Sequence, residues 1–282
     1  MSSKVRHIRE RSLGATILGY ATLGILLVFT LGPFLWLMDT AFKSAAQVFR
    51  IPTVWFPHPI DWHNLAQTWD SVPFGRFYLN TFWVASATTV GQVFTSVLAG
   101  YALARMRFRG RQALFLIALS TLMIPFQVIL IPTFLIVKDL GLLNNLWAVI
   151  LPNVATGFGI FLMRQFFLQI PVEIEEAAVM DGASRLRILW SIMLPISRAA
   201  IATLVLFAFL FSWNNFLWPL VALTTPSNMT IQVGLSFFQS AHVTEYNRLM
   251  AGSLISLIPI VVLFLFTQKY FVEGIVTGSV KG

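Results

Sequence analysis

The side chains that usually carry covalent chemistry are scarce in this sequence. It has no Cys, which excludes thiol nucleophiles, disulfides and Cys-based zinc sites. Its four His (His7, His58, His63 and His242) stand in polar flanks and loops. His58 and His63 are close, but without supporting acids the pair is a weak metal signal. No G-x-x-x-x-G-K-[ST] occurs, so the chain carries no phosphate-cradling loop of that type. No nucleophile–base arrangement points to an enzyme working within the membrane. Two other groupings remain. Four of the eleven acids (Glu173, Glu175, Glu176 and Asp181) crowd together beside Ala177, Ala178, Gly182 and Ala183. Small side chains let another backbone approach closely, and the acids can pair with basic groups, so the chemistry is docking. An ordinary amphipathic loop lying on its own helix ends is the other reading. The second grouping lies inside apolar stretches: Asn80, Trp83, Gln92, Gln127, Asn153, Trp213, Asn214, Asn215 and Trp218. Amide plus aromatic suits a sugar, because the amide meets hydroxyls and the ring stacks on C–H faces. Helix–helix hydrogen bonds and interfacial aromatic belts are the competing readings. Asn214 and Trp218 are four apart, which places them on one face of a continuous helix.

The elements that must hold these groups are membrane spans. Of 282 residues, 57% are hydrophobic and 11% charged, against about 25% charged in a soluble domain. A water-facing surface cannot be built from so few charges, and disorder needs low hydrophobicity. Six stretches are long enough to cross about 30 Å of hydrocarbon: 15–40, 78–104, 112–136, 146–167, 199–223 and 249–271. Pro33, Pro125, Pro132, Pro152 and Pro259 fall within them, as membrane helices tolerate. The first stretch follows Lys4, Arg6, Arg9 and Arg11 and has no small-residue cleavage site, so it reads as a retained span rather than a signal peptide. With residues 1–14 cytoplasmic, six spans return the 272–282 tail to the same side. Fourteen of the 19 Lys and Arg then lie inside and five outside, while the acids divide six and five. The whole net charge of +8 is therefore cytoplasmic, and the Lys/Arg asymmetry agrees with that orientation. It is a topology signal rather than a nucleic-acid signature.

Residues 42–77 form an outer loop with Trp55, Trp62 and Trp69, and 168–198 form the longest cytoplasmic loop. The latter reads as two short helices. Pro171 suits the first turn, Glu173, Glu175 and Glu176 favour the positive helix start, and Gly182 permits a left-handed stop. Ser184 caps a second helix with Leu186, Leu189, Trp190 and Met193 on its apolar face. The spans are nearly free of titratable groups, so neither a proton relay nor a voltage sensor is visible. An autonomous secondary carrier or channel is the reading this disfavours.

Glu176-Ala177-Ala178-x-x-Asp181-Gly182-Ala183, followed by Ile192-x-Leu194-Pro195, resembles the EAA loop of ABC-importer permeases. The likeness extends over nearly the whole chain. It includes Asn80-Thr81, the run from Ala99 through Tyr101 and Arg105 to Arg111, Met123-Ile-Pro125, Trp213-Asn214-x-Phe216-x-Trp218-Pro219, and a tail with Gly274 and Gly278. The tail is similar to the carbohydrate-uptake subfamily, and the chain looks like its six-span, maltose-type "G" partner. One departure is Ile196-Ser-Arg-Ala-Ala200, where members often carry a second Pro. The resemblance implies an all-α membrane protein with the type I importer permease fold. It implies a non-catalytic subunit coupled to ATPase through Glu173, Glu176, Ala177, Ala178, Asp181, Gly182 and Ala183, with Leu194 and Pro195 fixing the exit. Expected partners are a second homologous permease, two cytoplasmic ATP-binding subunits that hold ATP and Mg, and an external solute-binding protein. No cofactor or metal is expected in this chain. Asn80, Asn153, Trp213, Asn214, Asn215 and Trp218 are the candidate substrate path, with a sugar or a polyol or glycerophosphate-type solute as cargo. The Gly274–Gly282 tail either reaches the ATPase subunits in extended form or frays.

Overall fold

A computed structural model describes residues 13–239 and 244–279, and these are helical with one isolated bridge between Gln239 and Thr244. Three helices are unbroken and long enough to cross a membrane: α1 (Leu13–Ala41), α3 (Phe74–Arg105) and α9 (Tyr246–Ser279). Pro33 and Pro259 sit inside α1 and α9 without ending them. The other three expected spans are broken. α4 (Arg111–Ser120) and its 3-10 extension to Met123 meet α5 (Phe126–Asp139) at 105°. Leu146–Asn153 meets α6 (Gly157–Gln169) at 41°. The fifth segment starts at α8 (Arg198–Trp213) and breaks again before Leu217–Ala222. α2 (His63–Ser71) and α7 (Val172–Met180) complete the longer elements.

The breaks have local causes. Pro125 is the N-cap of α5, and a residue before Pro is pushed out of the helical region, as Ile124 is at ψ 114°. Thr156 adopts an extended backbone and its hydroxyl accepts from the Phe158 N–H to start α6. Asn214 closes α8 with its N–H on Leu210 and its side chain on the same carbonyl.

α3 and α6 approach to near backbone contact. A Cβ on Gly100 would come within 2.8 Å of Met163 Cβ, and one on Gly159 within 2.1 Å of Ser96 Oγ. Their core continues through Tyr101, Phe167, Ile188, Leu189, Met193 and Leu204, so the 171–196 segment is packed into it. A second cluster joins Phe77, Phe209, Trp213 and Leu235, and a third joins Val84, Ile150, Trp218 and Leu223.

The 42–77 stretch is more structured than a surface loop. α3 begins at Phe74, four residues ahead of the expected span, and α2 is pinned to α9 where Asn247 donates to Asn64 Oδ1 at 3.1 Å. Asn64 in turn donates to the carbonyls of Ala41 and Lys43. The last helix continues to Ser279, so Gly274 and Gly278 belong to helix rather than to an extended tail. Lys4, Arg6, Arg9, Arg11, His242 and residues 280–282 lie outside the described residues.

Candidate functional site

Two sites emerge at opposite ends of the α3–α6 pair. At one end α7 runs from Pro171, and Gly182 stops it at φ +78°. Ala183 N–H bonds the Ala178 carbonyl at 2.9 Å and Gly182 N–H bonds Val179 at 2.9 Å, a Schellman stop. Ser184 caps the following helix through the Arg187 N–H. That helix widens into a π turn over Leu189–Met193 ahead of Pro195, which relieves the missing N–H and ring clash of Pro. Ser197 then turns the chain by 82° into α8.

This segment has two faces. Glu173, Glu176, Ala177, Asp181 and Gly182 are exposed, together with Met180 and Leu186, while Ala178, Ile188, Leu189 and Met193 are buried. Ala183 and Leu194 are half-buried and Pro195 exposed. The apolar face therefore differs from the expected one: Leu186 and Trp190 point outward, and Ile188 takes their place. Leu189 and Met193 keep the expected buried side, and Leu186 and Trp190 share the opposite, exposed side.

Glu175 is the residue that sequence reasoning left among the helix-start acids without a role of its own. It is 3% exposed. Arg105 Nε lies 2.9 Å from its Oε1, Arg185 Nη1 3.5 Å from its Oε2, and Tyr101 Oη donates to Oε2 at 3.4 Å. Arg105 also donates to the carbonyls of Phe167 and Ile170 at the end of α6, where a cation is favoured. The available signal was the i, i+4 pair Tyr101 and Arg105, a phenol and a cation on one face at the end of an otherwise uncharged span.

At the other site, all three helix breaks converge on two adjoining cavities of about 720 and 520 Å3 that share Asn153, Phe207 and Phe211. Gln92, Thr121 and Thr156 face the first; Gln127, Asn214 and Asn215 face the second, with Phe126 and Phe216. No acidic or basic side chain lines either among the described residues. Gln92 donates to the Asn153 carbonyl at 2.8 Å and Thr95 to Val154 at 2.7 Å, holding the fourth-span break against α3. Asn153 Nδ2 donates back to the Val149 carbonyl, and the residue lines both cavities. The linings are mainly apolar with a few amides and hydroxyls, and broken helices around a cavity are one way membrane proteins create a solute site, because freed backbone groups need partners there.

The 171–196 segment is packed on one side with a small-and-acidic face exposed, and the two cavities lie where the helix breaks converge. The chain matches the family model described as "Binding-protein-dependent transport system inner membrane component" over residues 93–276. This chain belongs to that family. The sn-glycerol-3-phosphate transport system permease protein UgpE of Yersinia pestis bv. Antiqua is 36% identical over 265 residues, covering 91% of this chain and 94% of that one. The arabinooligosaccharides transport system permease protein AraQ of Halalkalibacterium halodurans is 34% identical over 268 residues, covering 94% and 95%. A chain of the crystal structure of a bacterial ABC transporter involved in the import of the acidic polysaccharide alginate superposes with a TM-score of 0.81 at 28% identity, covering 93% and 99%. The chain is thus a transporter permease component with the type I importer permease fold.

Within this permease the structure sorts the expected path residues. Asn153, Asn214 and Asn215 line the cavities. Asn80, Trp213 and Trp218 do not. Asn80 donates to the carbonyls of Ser227 and Met229 and so holds the 226–229 turn on α3. Trp213 is fully buried, stacks on Phe209 at 5.4 Å and donates to Ser256 O at 3.1 Å. Trp218 is also fully buried and donates to Ala148 O at 3.0 Å, so it is core rather than interfacial belt. Asn214 and Trp218 do not share a helix face, because residues 214–216 interrupt the helix between them.

Proposed function

We propose that the chain forms one half of the pathway of an ATP-driven importer for a sugar or oligosaccharide. Each broken pair is read as one span, giving six with both termini cytoplasmic and α7 on the cytoplasmic side. The observation that carries the reading is the cavity at the three helix breaks, where Gln127, Asn153, Asn214 and Asn215 offer donors and acceptors among Phe side chains and no charge. A hydroxyl both gives and takes a hydrogen bond, and an amide answers both.

The exposed face of α7, with Glu173, Glu176, Ala177, Asp181 and Gly182, docks a cytoplasmic ATP-binding subunit that holds ATP and Mg. One chain carries one such face, and two ATPase subunits need two, so a second, homologous permease completes the pathway. A solute-binding protein delivers cargo from outside; a bacterial alginate ABC transporter that shares the fold is solved in complex with an alginate pentasaccharide-bound periplasmic protein. A glycerophosphate-type cargo is the second reading, favoured by the identity to the sn-glycerol-3-phosphate permeases. An anion wants cationic groups in its path, and the partner permease would have to supply them.

The test is the complete importer in proteoliposomes, with binding protein present and ATP hydrolysis followed across a solute panel. Neutral oligosaccharides are expected to stimulate hydrolysis together with uptake. Stimulation by phosphorylated solutes alone would favour the second reading. Uptake by this chain without ATP or partners would overturn the proposal.

A further inference from the structure

The coupling segment reaches the cavity walls by two routes. One is covalent: Ser197 turns directly into α8, which carries Phe207, Phe211 and Asn214. The other crosses space. Glu175 on α7 meets Arg105, and Arg105 in the same reach bonds the last carbonyls of α6. Those contacts tie one helix of the segment to the ends of both α3 and α6.

α3 and α6 are in near backbone contact. Gly91, Gly100 and Gly159 leave no room for a Cβ at their contacts with Val154, Met163 and Ser96. They form one closely packed pair. At its far end, 13 residues or about 20 Å along α3 from Arg105, Gln92 and Thr95 hold the carbonyls of Asn153 and Val154 at the helix break.

We infer that the buried Glu175–Arg105 pair, steadied by Tyr101 and Arg185, is a latch that passes coupling-helix motion to the α3–α6 body and so to the Asn153 wall of the cavity. With both routes intact, tilting α7 moves the Asn153 wall and the Asn214 wall in relation to each other. With the latch open, only the α8 wall follows. Arg185 lies on the second helix of the segment and also faces Glu175 at 3.5 Å, so the latch joins the two routes where they diverge. Glu175 touches no exposed docking surface, being 3% exposed; it is a positioning residue.

This inference rests on the docking role proposed for the exposed face of α7, and the experiment separates the two. In the reconstituted importer, Glu175→Gln keeps the side-chain shape and removes the charge. The expected result is an assembled complex in which stimulation of ATP hydrolysis by the solute-loaded binding protein falls about tenfold, within the usual range of coupling between sites, and solute moved per ATP hydrolysed falls with it. Arg105→Gln combined with Glu175→Gln is expected to lose no more than Arg105→Gln alone, since both open one latch. If Glu175→Gln does not assemble, Tyr101→Phe is read instead. It removes one hydroxyl, preserves packing, and is expected to lower transport per ATP without lowering complex yield. Wild-type stimulation and stoichiometry in an assembled Glu175→Gln or Tyr101→Phe importer overturns the latch, as does full additivity of the Glu175 and Arg105 losses. Ala177→Trp, on the exposed face, is the control. Its expected loss of ATPase-subunit co-purification holds whether or not the latch exists, and its failure would count against docking instead.

Discussion

Trp213 and Asn214 are neighbours in sequence and differ in everything that matters to a transporter. Trp213 has no exposed surface, is stacked on Phe209, meets Tyr78 edge-on at 5.5 Å and donates to Ser256 on α9. Replacing it by Ala removes a side chain that bridges α3, α8 and α9, and costs about 3–5 kcal/mol for a buried aromatic. Trp213→Phe keeps most of the ring and removes the indole hydrogen bond to the Ser256 carbonyl, about 0.5–1.5 kcal/mol. Asn214 is exposed to the cavity, with its Nδ2 on Leu210 of its own helix and a long 3.4 Å contact from Gln232. Its replacement by Ala is expected to stay within about 0.5 kcal/mol in stability, as surface changes do. Losing one neutral hydrogen bond to cargo, at about 0.5–1.5 kcal/mol, should raise the apparent KM for uptake roughly 2- to 13-fold. The assay pairs a melting curve of the detergent-solubilised importer with uptake in proteoliposomes. Trp213 variants should lower the melting temperature in the order Ala, then Phe, with KM unchanged in whatever protein survives. Asn214→Ala should do the reverse. A stable Trp213→Ala importer with altered solute preference would refute the assignment of Trp213 to packing, and a destabilised Asn214→Ala chain with unaltered uptake would refute the cavity assignment.

Gly159→Ala should destabilise the chain by about 1–3 kcal/mol through overpacking, because the added carbon meets Ser96 Oγ at 2.1 Å; Ser96→Ala in the same chain should recover part of the melting temperature. Gly182→Val should cost about 1–2 kcal/mol locally from φ +78° alone, since a Cβ there meets nothing. ATPase-subunit binding should fall while membrane insertion persists, and Gly182→Asn should retain most binding. Asn80→Ala should loosen the turn at Ser227 and Met229, read as faster cleavage there by an added protease, with a wild-type cleavage rate the outcome that counts against it.

The architecture of the 171–196 segment was legible because its signals are local. Gly182 and Ser184 stop and cap the chain where their chemistry required, while Pro171 stands one residue ahead of the first turn, as the extended N-cap of α7. The spans were legible as apolar length but not as shape. A segment such as 199–223 reads as one continuous apolar run, and only the conformations of Asn214 to Phe216 interrupt it. For 112–136 the Pro was visible, yet a kink and a 105° break look alike in sequence.

Membership of a membrane-permease family, the helical fold and the two-helix 171–196 segment follow from composition, local signals and motif spacing. Which polar residues meet the cavity does not. In a soluble helix the apolar stripe marks the buried side, but a span is apolar on nearly every side, so periodicity cannot tell a core face from a lipid face or a cavity face. Tertiary packing made that choice. It turned the indoles of Trp213 and Trp218 onto the carbonyls of Ser256 and Ala148 and left Asn153, Asn214 and Asn215 at the converging breaks. It also brought Glu175 to Arg105 across 70 positions of chain, a contact between charges that composition could count but not pair.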